Sequence, residues 1–366
     1  MQKVFDIPTQ NLPTDFKVYV LVPGIQSDDP NIAYYYDFSQ SFEEYSKAFS
    51  DLGIDWEWSE VTMSSYAETI DRHIANCKNK TPVFFNLCDG DEINGAPGLS
   101  VIHYLEQKRV VYTGADSSFY EITTSKIPMK LAFDNCNIPT PAWGIADLQK
   151  ANSQFSNLGS PLIIKPAVSG GSMGVGIDNV VYTSHQYANI VHKIESGYRG
   201  WDLNIDGAIV EKYVKGEEYT TMLVGSWDDP EKIVYFDAVH RKFHSSLKDD
   251  QKFLSFDRLW EIYENEPSMP NSEFFFEYNP VDQKLNEQLK EISIKAYKAL
   301  KGKSYTRIDI RQDQETKQLY VLEANAQCGL SEDENYTSIG AILRVSKKTF
   351  AELILMIIFD AIKGHL

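Results

Sequence analysis

The chain has 366 residues, 43% of them hydrophobic and 24% charged, a balance that suits a globular protein of two or three domains and excludes a disordered or fibrous one. Its 35 basic and 52 acidic residues leave a formal net charge of -17, which repels a phosphate backbone over most of the surface and argues against a nucleic-acid partner; basic residues that gather in a cleft therefore stand out. The four cysteines, at 77, 88, 136 and 328, form no CxxC pair and no metal-like spacing with the seven histidines, so reduced thiols and a cytoplasmic location are expected.

In chain order, no apolar stretch of a secretory signal opens the sequence. Short apolar runs at FKVYVLVPG (residues 16–24), TPVFFNL (81–87) and KRVVYTG (108–114) alternate with helical patterns at 42–52 and 65–76. This βαβ rhythm predicts a small parallel sheet covered by helices. The glycine- and aspartate-rich CDGDEINGAPG (88–98) follows the end of a strand, where such folds place ligand loops, although a plain surface connection fits it as well.

A helix is expected over 125–136, and the two prolines of NIPTPAW (137–143) then break it and mark a link to a second domain. After the link come an apolar strand ending in Lys165, the loop SGGSMGVG (169–176), a β-type segment IDNVVY, a helix near 184–196, and two strands in AIVEKYVKGEEYTTMLVG. Glycine-rich backbone offers N–H groups that can cradle phosphates. The loop lacks GK[ST] and GxGxxG and leads into a strand instead of a helix, so a β-hairpin flap is predicted, with Lys165 and Lys126 as cations beside it or as ordinary solvated lysines. Residues 240–279 have weak periodicity and suit a long irregular or mobile segment over a site, or a surface insertion.

Two strands, YTRIDI (305–310) and LYVLEAN (319–325), joined by the polar hairpin RQDQETKQ, follow. Period-two alternation puts Arg307 and Asp309 on one face, and Glu323 and Asn325 on the face that pairing would bring beside them. Ile308, Ile310, Leu322 and Ala324 would back onto the core. Two carboxylates and an amide oxygen are hard ligands that suit Mg2+, which commonly shares its shell with substrate phosphates; an exposed, solvated hairpin face is the alternative. The apolar run at 353–359 is far short of a bilayer span and reads as a buried helix.

Taken in order, NLCDGDEINGAPGLSVIHYLEQKRVVYTG, IPTPAW, IIKPAVSGGSMGVG, IVEKYVKGEEYT, RIDI and LEANAQCG resemble the ATP-grasp superfamily, and within it the D-alanine-D-alanine ligase family, over most of the chain. The resemblance implies a mixed α/β ATP-grasp fold with an N-terminal α/β domain (1–120), a central flap domain (121–214) and a C-terminal domain bearing the metal site (215–366). It implies that Lys126, Lys165 and the flap residues Gly170, Gly171 and Ser172 meet ATP phosphates, that Glu211, Lys212, Tyr213 and Val214 hold adenine through their backbone, and that Glu218 binds ribose. Asp309, Glu323 and Asn325 would bind two Mg2+ ions, with Mn2+ as a substitute. Arg307, Ser172 and the N–H of Gly329 would serve catalysis, Arg307 and Gly329 at the oxyanion; Arg241 or Lys242 would close over the site. The activity implied is an ATP-dependent carbon–nitrogen ligase joining an amino acid or amine to a small acid-bearing substrate, in a homodimer without membrane or nucleic-acid partners.

Departures from the family pattern put both substrate pockets in doubt. VLVPGIQSDDPNIAYYYDFSQ shows no clear equivalent of the family's acid for the first amino group; Gly171 stands where the family has a serine; and SEDENYTS replaces a serine-rich run, with Glu332, Asp333 and Glu334 either disfavouring a carboxylate or facing solvent. The alternatives are a true D-alanine-D-alanine ligase, a specialised-metabolite ligase such as a mycosporine amino acid ligase, a kinase-like ATP-grasp phosphotransferase, and a regulator that only binds nucleotide.

Overall fold

The computed structural model describes residues 15–365. The first sheet is parallel and runs in the order β2-β1-β3-β4, from β1 (Phe16–Pro23), β2 (Trp56–Val61), β3 (Thr81–Asn86) and β4 (Val111–Thr113). Helices α1 (Pro30–Tyr35), α2 (Ser39–Leu52), α3 (Tyr66–Asn76) and α4 (Leu99–Lys108) connect these strands. Val18, Val20, Val83 and Phe85 face one apolar core while Tyr19, Leu21 and Phe84 face another, and burial on both faces explains why these strands read as unbroken apolar runs. WEWSEV forms the edge strand β2, half exposed, so it lacks the apolar run that marks its neighbours.

Helices α5 (Ser117–Thr124) and α6 (Lys126–Asn135) lead to a second, antiparallel sheet of β5 (Trp143–Ile145), β6 (Leu162–Pro166), β7 (Val180–Val181) and β8 (Ala208–Lys212), in the order β5-β8-β6-β7. Helices α7 (Ala151–Leu158) and α8 (Ser184–Ser196) pack on it. The expected flap hairpin is present, since β6 and β7 pair antiparallel around the glycine loop. Its second strand is only two residues long, because Asn179 turns inward to donate to Ile164 O (2.7 Å) and Gly174 O (3.0 Å).

The third sheet, β11-β10-β9-β12-β13, is antiparallel and contains β9 (Gly216–Val224), β10 (Val234–Phe243), β11 (Phe276–Pro280), β12 (Tyr305–Asp313) and β13 (Leu319–Asn325). The remaining helices are α9 (Phe256–Trp260), α10 (Gln283–Ala299), α11 (Ser338–Val345) and α12 (Phe350–His365). One face packs Ile308, Ile310 and Ala324 against Leu289, Ile292 and Ala296 of α10. Leu322 does not join this core: a bulge pairs Ile310 with Val321, so Val321 is fully buried and Leu322 only half-buried. The segment 240–279 likewise differs from its expectation at both ends, where β10 and β11 pair in register from Val239↔Pro280 to Phe243↔Phe276; only its middle is irregular.

Helix α12 crosses back to the first sheet. Ile354, Ile357 and Ile358 share one cluster with Val18, Phe85 and Val111 of that sheet and with Met222 and Tyr305 of the third. The run at 353–359 is thus a buried helix, and among the described residues no helix is long and apolar enough to cross a membrane. Ile357→Ala, at a fully buried position in this shared core, is expected to lower unfolding free energy by about 2–5 kcal/mol in urea denaturation.

Candidate active site

The cross-strand register sets three rows on the other face of the third sheet. Arg241 lies opposite Glu218, and Glu218 opposite Arg311; Thr220 lies opposite Asp309, and Asp309 opposite Glu323; Arg307 lies opposite Asn325. The four polar groups expected from the two C-terminal strands are therefore brought together. Arg307 donates to Asp309 Oδ2 from Nη2 (3.1 Å) and Nε (3.2 Å), and Thr220 donates to Asp309 Oδ1 (2.9 Å). Asn325 Nδ2 approaches the same Oδ2 at 3.4 Å, which leaves its amide oxygen as the free acceptor.

This set fits Mg2+ by its chemistry: two carboxylates facing each other across a strand pair, and an amide oxygen, are hard donors. Among the described residues no group of three His, Cys, Asp or Glu could enclose a metal, so an ion here would complete its shell from water and a phosphate-bearing substrate, as Mg2+ commonly does.

Lys126, Lys130 and Lys165 come together with two acids above this face. Ser125 caps α6, and Lys126 N donates to Ala167 O (2.8 Å), which pins the start of the helix against the strand end that leads into the flap. Lys126 Nζ lies 3.9 Å from Glu323 Oε2 and within 3.4 Å of both oxygens of Ser169 at the loop entrance. Lys165 Nζ meets Glu211 Oε2 at 2.7 Å, and Lys130 Nζ meets Glu211 Oε1 at 2.5 Å. Burial disfavours the charges of Lys126 and Lys130 and lowers their pKa values, with Glu323 and Glu211 respectively offsetting only part. Burial also opposes the Lys165 charge, but there Glu211 and Glu323 together outweigh it and raise the pKa. Burial alone would push the Glu211 carboxyl up; the two lysines hold it down at about 2.

Of the segment implied for adenine, Lys212 N donates to Ala142 O (2.8 Å) and Tyr213 N to Pro161 O (2.9 Å), while the Val214 N–H has no partner among the described residues. Glu218 is buried between Arg241 and Arg311, the latter at 3.2 Å, so its carboxylate already carries two cations. Arg311 is further held by Tyr213 Oη (3.0 Å) and Lys252 O (2.6 Å).

The glycine loop lies beneath the middle of the 240–279 segment. Ser172 Oγ donates to Leu254 O (3.0 Å), Phe256 N to Val175 O (2.9 Å), and Trp260 Nε1 to Gly171 O (2.9 Å). Gly171 has a left-handed φ of 50°, and an added Cβ would stand 3.0 Å from the rings of both Trp260 and Tyr35. The absence of a serine there thus has a local cause: two aromatic side chains fill its space.

Gly329 lies just beyond β13, after Cys328, whose buried thiol is pushed up to about 12 by burial, with the nearby Arg307 charge opposing. Gln327 ties this loop to the first sheet, accepting from Ala115 N (3.0 Å) and donating to Asn86 O (2.7 Å). The three acids that follow do not form a free acidic pocket. Glu332 pairs with Lys47 (2.9 Å), Asp333 accepts the N–H groups of Asn335 and Tyr336, and Glu334 lies 3.9 Å from Arg344.

Sequence reading missed Lys130 and Arg311, although both carried a signal. Lys130 falls four residues after Lys126 on the same helix face, and Arg311 continues the alternation Arg307, Asp309 along β12.

A buried lysine cluster, a glycine flap and an acid-bearing strand pair, spread over two antiparallel sheets beside a parallel one, define an ATP-grasp enzyme. Residues 137–358, more than half of the chain, match the family model described as the D-ala D-ala ligase C-terminus, and the chain belongs to this family of ATP-dependent carbon–nitrogen ligases. It is 24% identical over 261 residues to the D-alanine-D-alanine ligase of Marinobacter nauticus, spanning 70% of this chain and 69% of the relative. It is 25% identical over 241 residues to that of Maridesulfovibrio salexigens, spanning 65% of this chain and 70% of the relative. The fold is similar to the D-alanine-D-alanine ligase of Bacillus anthracis complexed with ATP (TM-score 0.67, 18% identity, covering 96% of this chain and 98% of the other). It is also similar to a D-Ala:D-Ser ligase from Enterococcus faecalis (TM-score 0.64, 14% identity, covering 95% and 99%).

Removing the Glu211 charge would leave Lys130 and Lys165 without their shared partner, and Glu211→Gln is expected to cost about 3–5 kcal/mol in urea denaturation at neutral pH. Because the folded carboxyl titrates near 2 against an ordinary 4.5, its contribution is complete above about pH 4.5 and is lost as pH falls towards 2. The gap between wild type and variant should therefore close over that window.

Proposed function

We propose that the protein uses ATP to phosphorylate a carboxylate of a small substrate and lets the amine of a second substrate, an amino acid or simple amine, displace the phosphate. The carboxylate oxygen takes the terminal phosphoryl group and ADP leaves; the amine then attacks the acyl carbon, phosphate departs, and the amine loses a proton. The observation that carries this reading is the register that sets Arg307, Asp309, Glu323 and Asn325 on one face, with Lys126 3.9 Å from Glu323. Lys126 and Lys165 would neutralise the phosphates, and Gly170, Gly171 and Ser172 would cover them. Glu211, Lys212, Tyr213 and Val214 would present backbone to adenine, where the unpartnered Val214 N–H supports the assignment. Glu218 would share its carboxylate between ribose and the two arginines.

Asp309, Glu323 and Asn325 would hold Mg2+, as two ions or with Mn2+ in their place, and the metal spreads charge during phosphoryl transfer. Arg307, held by Asp309, would face the oxyanion formed as the amine attacks, beside the N–H of Gly329. The divisions proposed are 1–120, 121–214 and 215–366. The four free cysteines support a cytoplasmic setting, and assembly as a homodimer rests on the family resemblance alone.

A D-alanine-D-alanine ligase is the second reading, favoured by the relatives' names. Against it stand Gly171 and the run SEDENYTS (331–338), both of which depart from the family pattern near the proposed substrate positions. The test is phosphate release with MgATP against L- and D-amino acids, singly and in pairs, with mass spectrometry of products. Dipeptide from D-alanine alone supports the second reading, turnover on another pair supports a different acceptor, and phosphorylated substrate without free phosphate would turn the proposal towards a phosphotransferase.

In the same assay Glu323→Ala should abolish metal-dependent turnover while its thermal melting stays close to wild type, since only a half-exposed ligand is removed. Arg307→Ala should lower turnover about 10²- to 10³-fold with little change in ATP affinity, because its charge is aimed at the transition state.

A further inference from the structure

Lys130 occupies the second turn of α6 with no exposed surface, so its ammonium cannot itself reach a ligand in the cleft. Two of its contacts are short: Glu211 Oε1 at 2.5 Å and Thr140 Oγ1 at 2.5 Å. Thr140 in turn donates to Val321 O on β13 at 2.9 Å, two residues before Glu323. The position of Lys130 is therefore set jointly by α6, by the linker after it and by the strand that carries the proposed metal ligands. Glu211 has one oxygen on Lys130 and the other on Lys165, whose side chain is the more exposed of the two lysines.

We propose that Lys130 is a positioning residue for nucleotide binding, which acts through Glu211 by drawing on one of its oxygens and so limiting that carboxylate's hold on Lys165. The inference rests on the reading that Lys165 meets nucleotide phosphates. Two ammonium groups on one carboxylate leave the triad with a net charge of +1, presented at its solvent-facing member. Without Lys130, Glu211 and Lys165 form a neutral pair, and the attraction for an anionic ligand falls. The ion pair with Lys130 occupies Oε1, so Lys165 is held at Oε2 alone and keeps its other protons for the ligand.

The test is calorimetric titration of the full chain with MgADP. Lys130→Met should weaken binding roughly tenfold or more, and Lys130→Arg, which keeps the charge, should stay within about threefold of wild type. The double variant Lys130→Met/Glu211→Gln should recover most of the loss, because the charge that Lys130 limits is gone; a merely structural role would make the double variant worse than the single. Lys165→Met separates the two levels of the argument. If it leaves affinity unchanged, the nucleotide-site reading falls and takes this proposal with it. If it weakens binding while Lys130→Met stays within about twofold of wild type, or if the double variant shows no recovery, this proposal alone is overturned. Should Lys130→Met fail to fold, the double variant decides: affinity within about threefold of wild type supports the role, and a loss of about tenfold overturns it.

Discussion

The carboxylate of Glu211 is shared inside the protein by Lys130 from α6 and Lys165 from β6. Buried charges persist only when they are paired, and here the pairing joins three elements distant in sequence. Glu211 ends the buried part of β8, Lys165 lies near the end of the strand that leads into the glycine loop, and Lys130 lies in the second turn of the helix that starts beside that loop. The position of the flap relative to the third sheet follows, because the same helix places Lys126 near Glu323 and Ser169 together.

A second arrangement of the same kind runs across the third sheet. Glu218 is flanked by Arg241 and Arg311, and Asp309 by Arg307, so acids and bases alternate along and across the strands. Six cations, Lys126, Lys130, Lys165, Arg241, Arg307 and Arg311, thereby gather in one region of a chain whose net charge is -17. Four acids, Glu211, Glu218, Asp309 and Glu323, share that region, so cations exceed acids there although acids exceed cations over the chain as a whole, a contrast that favours an anionic small molecule at this place.

Much of this was legible in the sequence wherever local pattern and burial agree. β1, β3 and the strands at 305–325 announce themselves through apolar runs or strict alternation, and α8 through its amphipathic period between a Thr183 cap and Gly197. Legibility failed where tertiary context overrides the local pattern. The edge strand β2 is half polar, the bulge at Val321 exchanges the roles of two apolar neighbours, and β10 hides its alternation behind a register shift between Phe236 and Val239. At the candidate site, residues on recognisable motifs could be named in advance, whereas Lys130 and Arg311 were missed because the spacing that aligns each with its neighbours does not reveal its burial or its partner. That partner stands 81 residues from Lys130 in the case of Glu211, and 93 from Arg311 in the case of Glu218.

The return of α12 to the first sheet also bears on how the chain is made. Val18, Val20 and Phe85 are synthesised well before Ile354, Ile357 and Ile358, which share one apolar cluster with them. Until that helix has been made, this face of the first sheet lacks part of its apolar cover. The core of the N-terminal layer is thus completed by contacts of very high sequence separation, which local folding of the first strands cannot supply.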